Sequence, residues 1–259
     1  MHDDPSKALI DSWSGNAQAW ATAIREGQIR SRREVTDAAI IAAVRPYLPG
    51  RVLDVGCEGW LCRALAEHGG QLTGIDVSAP LVKLATQAGV GDFRCMSYAQ
   101  VIAEPQRTGA DFKVIVCNFS LLDEQTAELL AALAHTAHPN ARLIIQTLHP
   151  LCIDPPYTDG WRVEHFDAMG AGDWQPMPWF YRTLSSWLTT LVPAWQLESI
   201  EEPRLPGAPL PASLILKAKI DEKELERVRR LAGAHNFFPT RRSWVMPLKE
   251  RRRFSALGR

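Results

Sequence analysis

At 259 residues the chain is long enough to bury one substantial core with room for a small appendage. Lysine plus arginine equals aspartate plus glutamate, at 29 each, so global charge points to neither nucleic acid nor a membrane surface. Cys57, Cys62, Cys95, Cys117 and Cys152 show no metal-ligand spacing, MHDDPSKALI reads as no signal peptide and no apolar run nears membrane-spanning length, so a reduced, cytoplasmic protein without zinc is expected.

Asp11 to Glu26 carries Trp13, Ala17, Trp20, Ala21 and Ile24 at helical spacing. Ser31 to Val44 carries Val35, Ala38, Ala39 and Ala42 on one face, so two helices precede the first strand. Val52, Leu53 and Val55 form a short apolar run between Pro49-Gly50 and Gly56, which reads as a buried strand. A helix begins near Glu58-Gly59 with Leu61, Ala64 and Leu65 on one face, and a second strand, Gln71 to Ile75, ends on Asp76. Strand, glycine turn, helix, strand and acid together form the unit that binds an adenosine-containing cofactor. The glycine lets the backbone approach the ligand, and the acid accepts hydrogen bonds from both ribose hydroxyls. Asp76 follows Asp54 by 22 positions, close to the usual spacing of about 20. By itself the unit suits NAD or S-adenosylmethionine.

Ala79 to Ala88 reads as a helix stopped by Gly89, and Asp92 to Met96 as a third strand followed by Ser97-Tyr98. Phe112 to Cys117 is an apolar, β-branched run and so a central parallel strand. It ends at Asn118-Phe119-Ser120, in the crevice where doubly wound sheets bind ligands. Glu124 to Ala137 is a helix rich in Ala and Leu, and Arg142 to Thr147 a fifth strand running into His149-Pro150. Ile153 to Tyr181 has little periodicity and much Trp, Pro, Gly and His, which suggests a functional insertion. A helix over Thr183 to Leu191 precedes the last two strands, Trp195 to Glu201 and Ala212 to Lys219. Beyond them lie a charged helix, Asp221 to Ala232, and a basic segment, Thr240 to Arg259. From Asp221 onward there are eleven basic and five acidic side chains, with Trp244 and Phe254 among them. This tail is readable as an RNA or partner contact, but without a nucleic-acid module a surface-docked or disordered extension is expected.

The succession VLDVGC, GIDVS, DFKVIVCNFSLLDE, HPNARLIIQTLHP resembles, in order and spacing, the class I S-adenosylmethionine-dependent methyltransferases, from about Trp13 to about Lys219. The resemblance implies an α/β fold, a Rossmann-like, doubly wound sheet of seven strands. That sheet would be mostly parallel with its last strand antiparallel, beneath an N-terminal helical lid. The methyltransferase domain would be residues 1–219, with the lid at 1–46 and a substrate-side insertion at 153–182, followed by a basic extension at 220–259. S-adenosylmethionine would be held by Asp54, Gly56, Cys57, Glu58, Gly59, Asp76, Val77, Ser97, Tyr98, Cys117, Asn118 and Phe119. Trp13, Trp20 or the cluster Arg30, Arg32 and Arg33 would line the lid, unless the tryptophans are core and the arginines a solvated face. One departure stands out. Where the family reads D-x-G-x-G-x-G, this chain reads Asp54-Val55-Gly56-Cys57-Glu58-Gly59-Trp60. Either Glu58 and Trp60 replace two glycines, or one glycine is missing and Glu58-Gly59 has moved up. The Glu58 carboxylate would attract the cofactor's sulfonium or ammonium, or obstruct it.

Methyl transfer asks a protein to align the reactants, exclude water and sometimes remove a proton. The Asn/Asp-Pro-Pro-Tyr/Phe turn of amino-nitrogen methylases is absent after the fourth strand, where Asn118-Phe119-Ser120-Leu121 stands. Asp154-Pro155-Pro156-Tyr157 falls after the fifth strand and reads as a turn. The Pro-Cys motif of cytosine-C5 methylases is missing too. What remains resembles the branch acting on small molecules, such as polyprenyl-phenol and natural-product O-methyltransferases. A small-molecule acceptor methylated on oxygen is therefore expected, with no nucleic acid or membrane partner. The candidate bases are His149, at a strand end, and His165, in the insertion. Tyr181, with Tyr157 and Arg182, could orient a phenol or carboxylate. Trp161, Trp174 and Trp179 would complete an aromatic wall facing Phe119. Two alternatives stay open: a protein of this fold that has lost transfer and serves as a binding or scaffold module, and an RNA or protein methyltransferase using the basic tail. The residues do not fix an oligomeric state.

Overall fold

A computed structural model describes residues 4–221 except Ala88, Ala168, Gly170 and Ala171, together with Lys223 and Glu226. The chain divides into two units, 1–222 and 223–259. Apart from Asp221, Lys223 and Glu226, the expected charged helix and basic segment lie outside the described residues.

Seven strands form the main sheet: β1 (Gly50–Val55), β2 (Gly70–Asp76), β3 (Gly91–Cys95), β4 (Phe112–Asn118), β5 (Ala137–Thr147), β8 (Trp195–Glu201) and β9 (Leu214–Ile220). Their order is β3-β2-β1-β4-β5-β9-β8. The strands from β1 to β5 pair in parallel, whereas β9 runs antiparallel between β5 and β8. This is the doubly wound sheet with an antiparallel last strand expected from the sequence. Parallel strands are covered on both faces and so are apolar throughout; Val114, Ile115, Val116 and Cys117 are all fully buried. The register Val55↔Ile75 and Val55↔Cys117 brings the ends of β1, β2 and β4 level. Between β1 and β4 the winding reverses, opening a crevice at the C-terminal edge.

Helices α2 (Asp37–Val44) and α3 (Trp60–Ala66) cover one face, where Ile40, Val44, Leu61 and Leu65 pack on Val52, Val114 and Ile144. The first helix, α1 (Pro5–Arg25), begins six residues earlier than the apolar spacing suggests. Asp4 caps it by accepting from Ser6 N at 3.1 Å, and Pro5 opens it. The segment before α2 is a π-helical turn, Arg32–Thr36, of a kind that favours functional positions.

Three further departures have local causes. Tyr98–Ala103 is a short helix, α5, in a stretch to which the sequence pattern assigns no element. Ser97 accepts from Gln100 N while the Gln100 side chain accepts from Ser97 N, so the Ser-x-x-Gln capping box was readable in the sequence. The helix after β4, α6 (Thr126–Ala134), stops three residues short of Ala137, and β5 absorbs His138-Pro139-Asn140 at its start. Within the supposedly irregular insertion, β6 (Gly160–Glu164) and β7 (Met177–Tyr181) form an antiparallel hairpin. The remaining helices are α4 (Ala79–Gln87), between β2 and β3, and α7 (Leu184–Thr190).

The hairpin buries its aromatics against α1. Leu9, Leu122, Phe166, Met177, Trp179 and Tyr181 form a second core, joined by Trp13, Trp20, Trp161 and Trp174. Buried Asn16 clasps the hairpin backbone twice, donating to Gln175 O at 2.9 Å and accepting from Gln175 N at 2.8 Å. Phe180 N donates to Leu122 O at 2.8 Å, fixing the other side of the hairpin to the loop after β4. Among the described residues no helix is long and apolar enough to cross a membrane.

Asn16→Ala would strand the Gln175 N–H and C=O with no side-chain partner. It should cost about 1–3 kcal/mol, read as a lower melting temperature, with faster proteolysis within α1.

Candidate functional site

The loop from β1 to α3 is shaped by two glycines with different jobs. Gly56 (φ 83°) and Cys57 both donate their N–H to Ile75 O, at 2.8 and 3.0 Å. A Cβ on Gly56 would lie 2.2 Å from Ser120 Cβ, so its bareness lets the loop after β4 close over the turn. The Ser120 hydroxyl donates to Val55 O across this contact. Gly59 (φ 93°) is the N-cap of α3, where a Cβ would meet Ala85 Cα at 2.9 Å. It serves the packing of α3 on α4 and does not line the crevice.

A cavity of about 310 Å³ fills the crevice beneath α1. Asp54, Gly56, Glu58, Asp76, Val77, Ser97, Tyr98, Asn118 and Phe119 all line it, brought together from the ends of four strands. Cys57 and Cys117 do not; both are buried behind the wall, and burial raises their thiols far above the usual range. Trp13, Trp20 and Arg32 form part of the roof, whereas exposed Arg30 and Arg33 pair with Glu34. Asp76 accepts from Ser78 N at 2.6 Å. The Tyr98 hydroxyl donates to Ser120 O at 2.6 Å, tying the turn after β3 to the loop after β4. Phe119 sits at φ 54°, a left-handed conformation that is costly for a bulky side chain. Its N–H donates to Gln146 O at 2.7 Å, which anchors the strained residue on the wall.

Electrostatically the wall is unbalanced. Burial raises the Asp54, Glu58 and Asp76 carboxyls to about 7 each, and the charge of Glu58 adds to the rise at the other two. Arg32 opposes this at Glu58. Its Nη1 lies 3.5 Å from Glu58 Oε1, its Nε donates to Asp37 Oδ1 at 2.9 Å, and its guanidinium stacks 4.6 Å from the Trp60 ring centre. The Trp20 indole also favours the charged form of Glu58. Even so, Arg32 Nη2, Glu58 Oε2 and Asn118 Oδ1 are buried without a well-formed hydrogen bond. Orphaned donors and acceptors of this kind, on the wall of a cavity, are groups that a ligand satisfies. A donor, a carboxylate and an amide oxygen side by side suit a zwitterionic amino-acid moiety, and Asp76 suits a pair of hydroxyls.

The residues expected to act as bases lie elsewhere. His149 does stand at the end of β5, but its ring is buried away from the cavity. Its Nε2 lies 2.8 Å from Glu202 Oε1, and its Nδ1 accepts from Leu151 N at 3.2 Å to cap the turn Pro150–Cys152. His165 is exposed in the hairpin connection. Tyr181 is buried, donating its hydroxyl to Pro150 O at 2.9 Å beneath the Arg162 guanidinium. None of the three lines the cavity. Of the tryptophans of the insertion, Trp174 and Trp179 pack in the second core beside α1, while Trp161 stands across the hairpin from Phe180, edge-on to its ring, and none faces the crevice. Arg182 donates to Asp123 O and Glu124 O at 2.7 and 2.9 Å and so braces the loop after β4 from behind.

Sequence reasoning missed Asp123, Gln125, Leu9 and Ile10, all on the cavity wall. Asp123 carried a signal: an acid shortly before a helix, which here accepts from Gln125 N at 2.9 Å.

A family profile described as a methyltransferase domain matches residues 29–197, more than half of the chain. The chain is 34% identical over 112 residues to a ubiquinone biosynthesis O-methyltransferase of Xylella fastidiosa, a match covering 40% of this chain and 44% of that relative. It is also 34% identical over 116 residues to a protein of the same name from Xanthomonas campestris, covering 41% and 47%. The chain thus spans less than half the length of these curated relatives. Among solved structures it is similar in fold to the magnesium protoporphyrin IX methyltransferase of Synechocystis, at TM-score 0.57 and 16% identity over 83% of this chain and 99% of that one. A methyltransferase of Mesorhizobium loti matches at TM-score 0.52 and 20% identity, over 69% and 96%.

The raised carboxyls carry a stability signature. In the ligand-free protein the folded state keeps protons that the unfolded chain would release, a contribution complete below the ordinary carboxylate range and lost as pH rises through about 7. The melting temperature should therefore fall as pH rises from about 5 to about 7 and level off above that, by about 2–4 °C per kcal/mol lost. Calorimetric scans across that range check it; a melting temperature that rises instead would show that the three acids are not held protonated.

Proposed function

The chain belongs to the class I S-adenosylmethionine-dependent methyltransferases, and from that premise we propose that it transfers the methyl group of S-adenosylmethionine to an oxygen of a small aromatic acceptor. The observation that carries this reading is the cavity at the ends of β1, β2 and β4, lined by Asp76 and by Arg32, Glu58 and Asn118, each with an orphaned polar atom.

When bound, S-adenosylmethionine supplies an electrophilic methyl group on a sulfonium. Asp76 would accept from the ribose hydroxyls. Ser97, Tyr98 and Val77 would flank the adenine, and Arg32, Glu58 and Asn118 would hold the amino-acid end. The lid α1 closes over the cavity with Leu9, Ile10 and Trp13 and excludes water from the transfer. Trp13, Trp20 and Phe119 offer planar apolar surface, which favours a flat aromatic acceptor. The naming of the curated relatives as O-methyltransferases supports oxygen as the acceptor atom. Asp123 lies on the wall contributed by the loop after β4, and we assign it the acceptor's hydroxyl proton in place of His149, His165 or Tyr181. Residues 1–219 form the catalytic domain in this reading, with 1–46 as its lid and 153–182 as the brace of that lid.

Asp76→Ala should weaken S-adenosylmethionine by about 1–3 kcal/mol, the loss of hydrogen bonds to a charged acceptor; calorimetric titration measures it, and an unchanged dissociation constant would remove Asp76 from the site. Asp123→Asn keeps the cap on Gln125 N but cannot take a proton. With a phenolic acceptor and methyl-labelled S-adenosylmethionine, its turnover should drop by about 10²-fold with cofactor affinity unchanged. Label appearing on carboxylates or amines but on no phenol would refute the acceptor class.

A further inference from the structure

Glu58 occupies a position where the family's pattern places a small residue beside the cofactor, and its surroundings say what the side chain does there. It is nine-tenths buried and lines the cavity, and its Oε1 meets Arg32 at 3.5 Å. The other, Oε2, is buried without a well-formed hydrogen bond. The wall around it is rich in acidic groups: Asp4, Asp54, Asp76 and Asp123 line the same cavity, and the buried ones repel one another when they ionise. The two cations on that wall, Lys7 and Arg32, are each also paired with an acid outside it, Asp11 and Asp37. An occupant carrying a net positive charge relieves this imbalance, and a net neutral one does not.

We propose that Glu58 is a specificity-determining residue that makes the cavity favour the cationic methyl donor over its neutral-sulfur product. The inference rests on S-adenosylmethionine as the occupant. Donor and product share the same adenosine and the same zwitterionic amino-acid end. They differ by one methyl group and by the sulfonium charge, so a fixed carboxylate within several ångströms distinguishes them whichever atom it touches. A glycine at this position would bring the backbone close to both ligands alike; the carboxylate adds a term that only the donor feels. Such discrimination lets product leave and donor enter, which limits inhibition by product.

The test is a pair of calorimetric titrations at about pH 8, where Glu58 is ionised even without a ligand, of S-adenosylmethionine and S-adenosylhomocysteine on the wild type, Glu58→Gln and Glu58→Gly. Glu58→Gln keeps the shape of the side chain and removes its charge. In both variants the preference for the donor over the product should fall by on the order of tenfold, the effect of one charge seen through several ångströms of partly screened protein. The loss should come from weaker donor binding. A preference preserved in either variant that stays folded by circular dichroism overturns the proposal, as does an equal weakening of both ligands. Failure of the wild type to bind either ligand would instead strike at the cofactor assignment itself, so the two readings fail separately.

Discussion

The feature on which the rest of this structure turns is a group of buried carboxylates at the C-terminal edge of the sheet. Burial raises the pKa of Asp54, Glu58 and Asp76, and the charge of Glu58 raises the other two further, in a crevice roofed by α1. Burying one carboxylate is costly, and burying three with Arg32 as the cation in direct contact is costlier still. A fold keeps such an arrangement where a ligand completes it. The strand ends, the turn at Gly56 and the roof of α1 are the means by which the acids are held in place.

Much of the remaining architecture supports that crevice from a distance. The π-helical turn at Arg32–Thr36 sets Arg32 between Trp60, Asp37 and Glu58. The β6–β7 hairpin supplies no wall to the cavity, yet its aromatics and the Asn16–Gln175 clasp hold α1 against the body. Arg182 braces the loop that carries Phe119 and Asp123 by binding its carbonyls, and Tyr98 grips the same loop at Ser120. With these supports the strained backbone at Phe119 can persist, since strain survives where neighbours over-determine it. A pre-formed site of this kind orients its ligands at little further entropic cost.

Histidines at strand ends invite a catalytic reading, and His149 shows how a structural role can occupy the same position. Its two ring nitrogens are used by Glu202 and by the amide of Leu151, so no nitrogen remains to face the crevice. The cavity wall instead offers carboxylates, of which Asp123 alone comes from the loop after β4, beside Phe119.

The one-dimensional pattern determined the fold and most of the residues that line the crevice at the strand ends. Buried parallel strands must be apolar along their length, glycine must stand where φ is positive and a neighbouring chain approaches, and an acid must end the second strand to meet a ribose. Val52 to Gly56, Asp76, Phe112 to Cys117 and Asn118 carry these local requirements in consecutive residues, and so they were legible. The packing around the crevice was not. Whether Trp179 and Tyr181 face a cavity or a helix depends on how a hairpin docks on α1, which is set by surface complementarity between segments more than a hundred residues apart. Likewise, the direction of the His149 ring depends on a glutamate 53 positions away, and the fate of Glu58 on an arginine 26 positions before it. Pairings between distant segments leave no periodicity in either one, and so only the tertiary structure decided them.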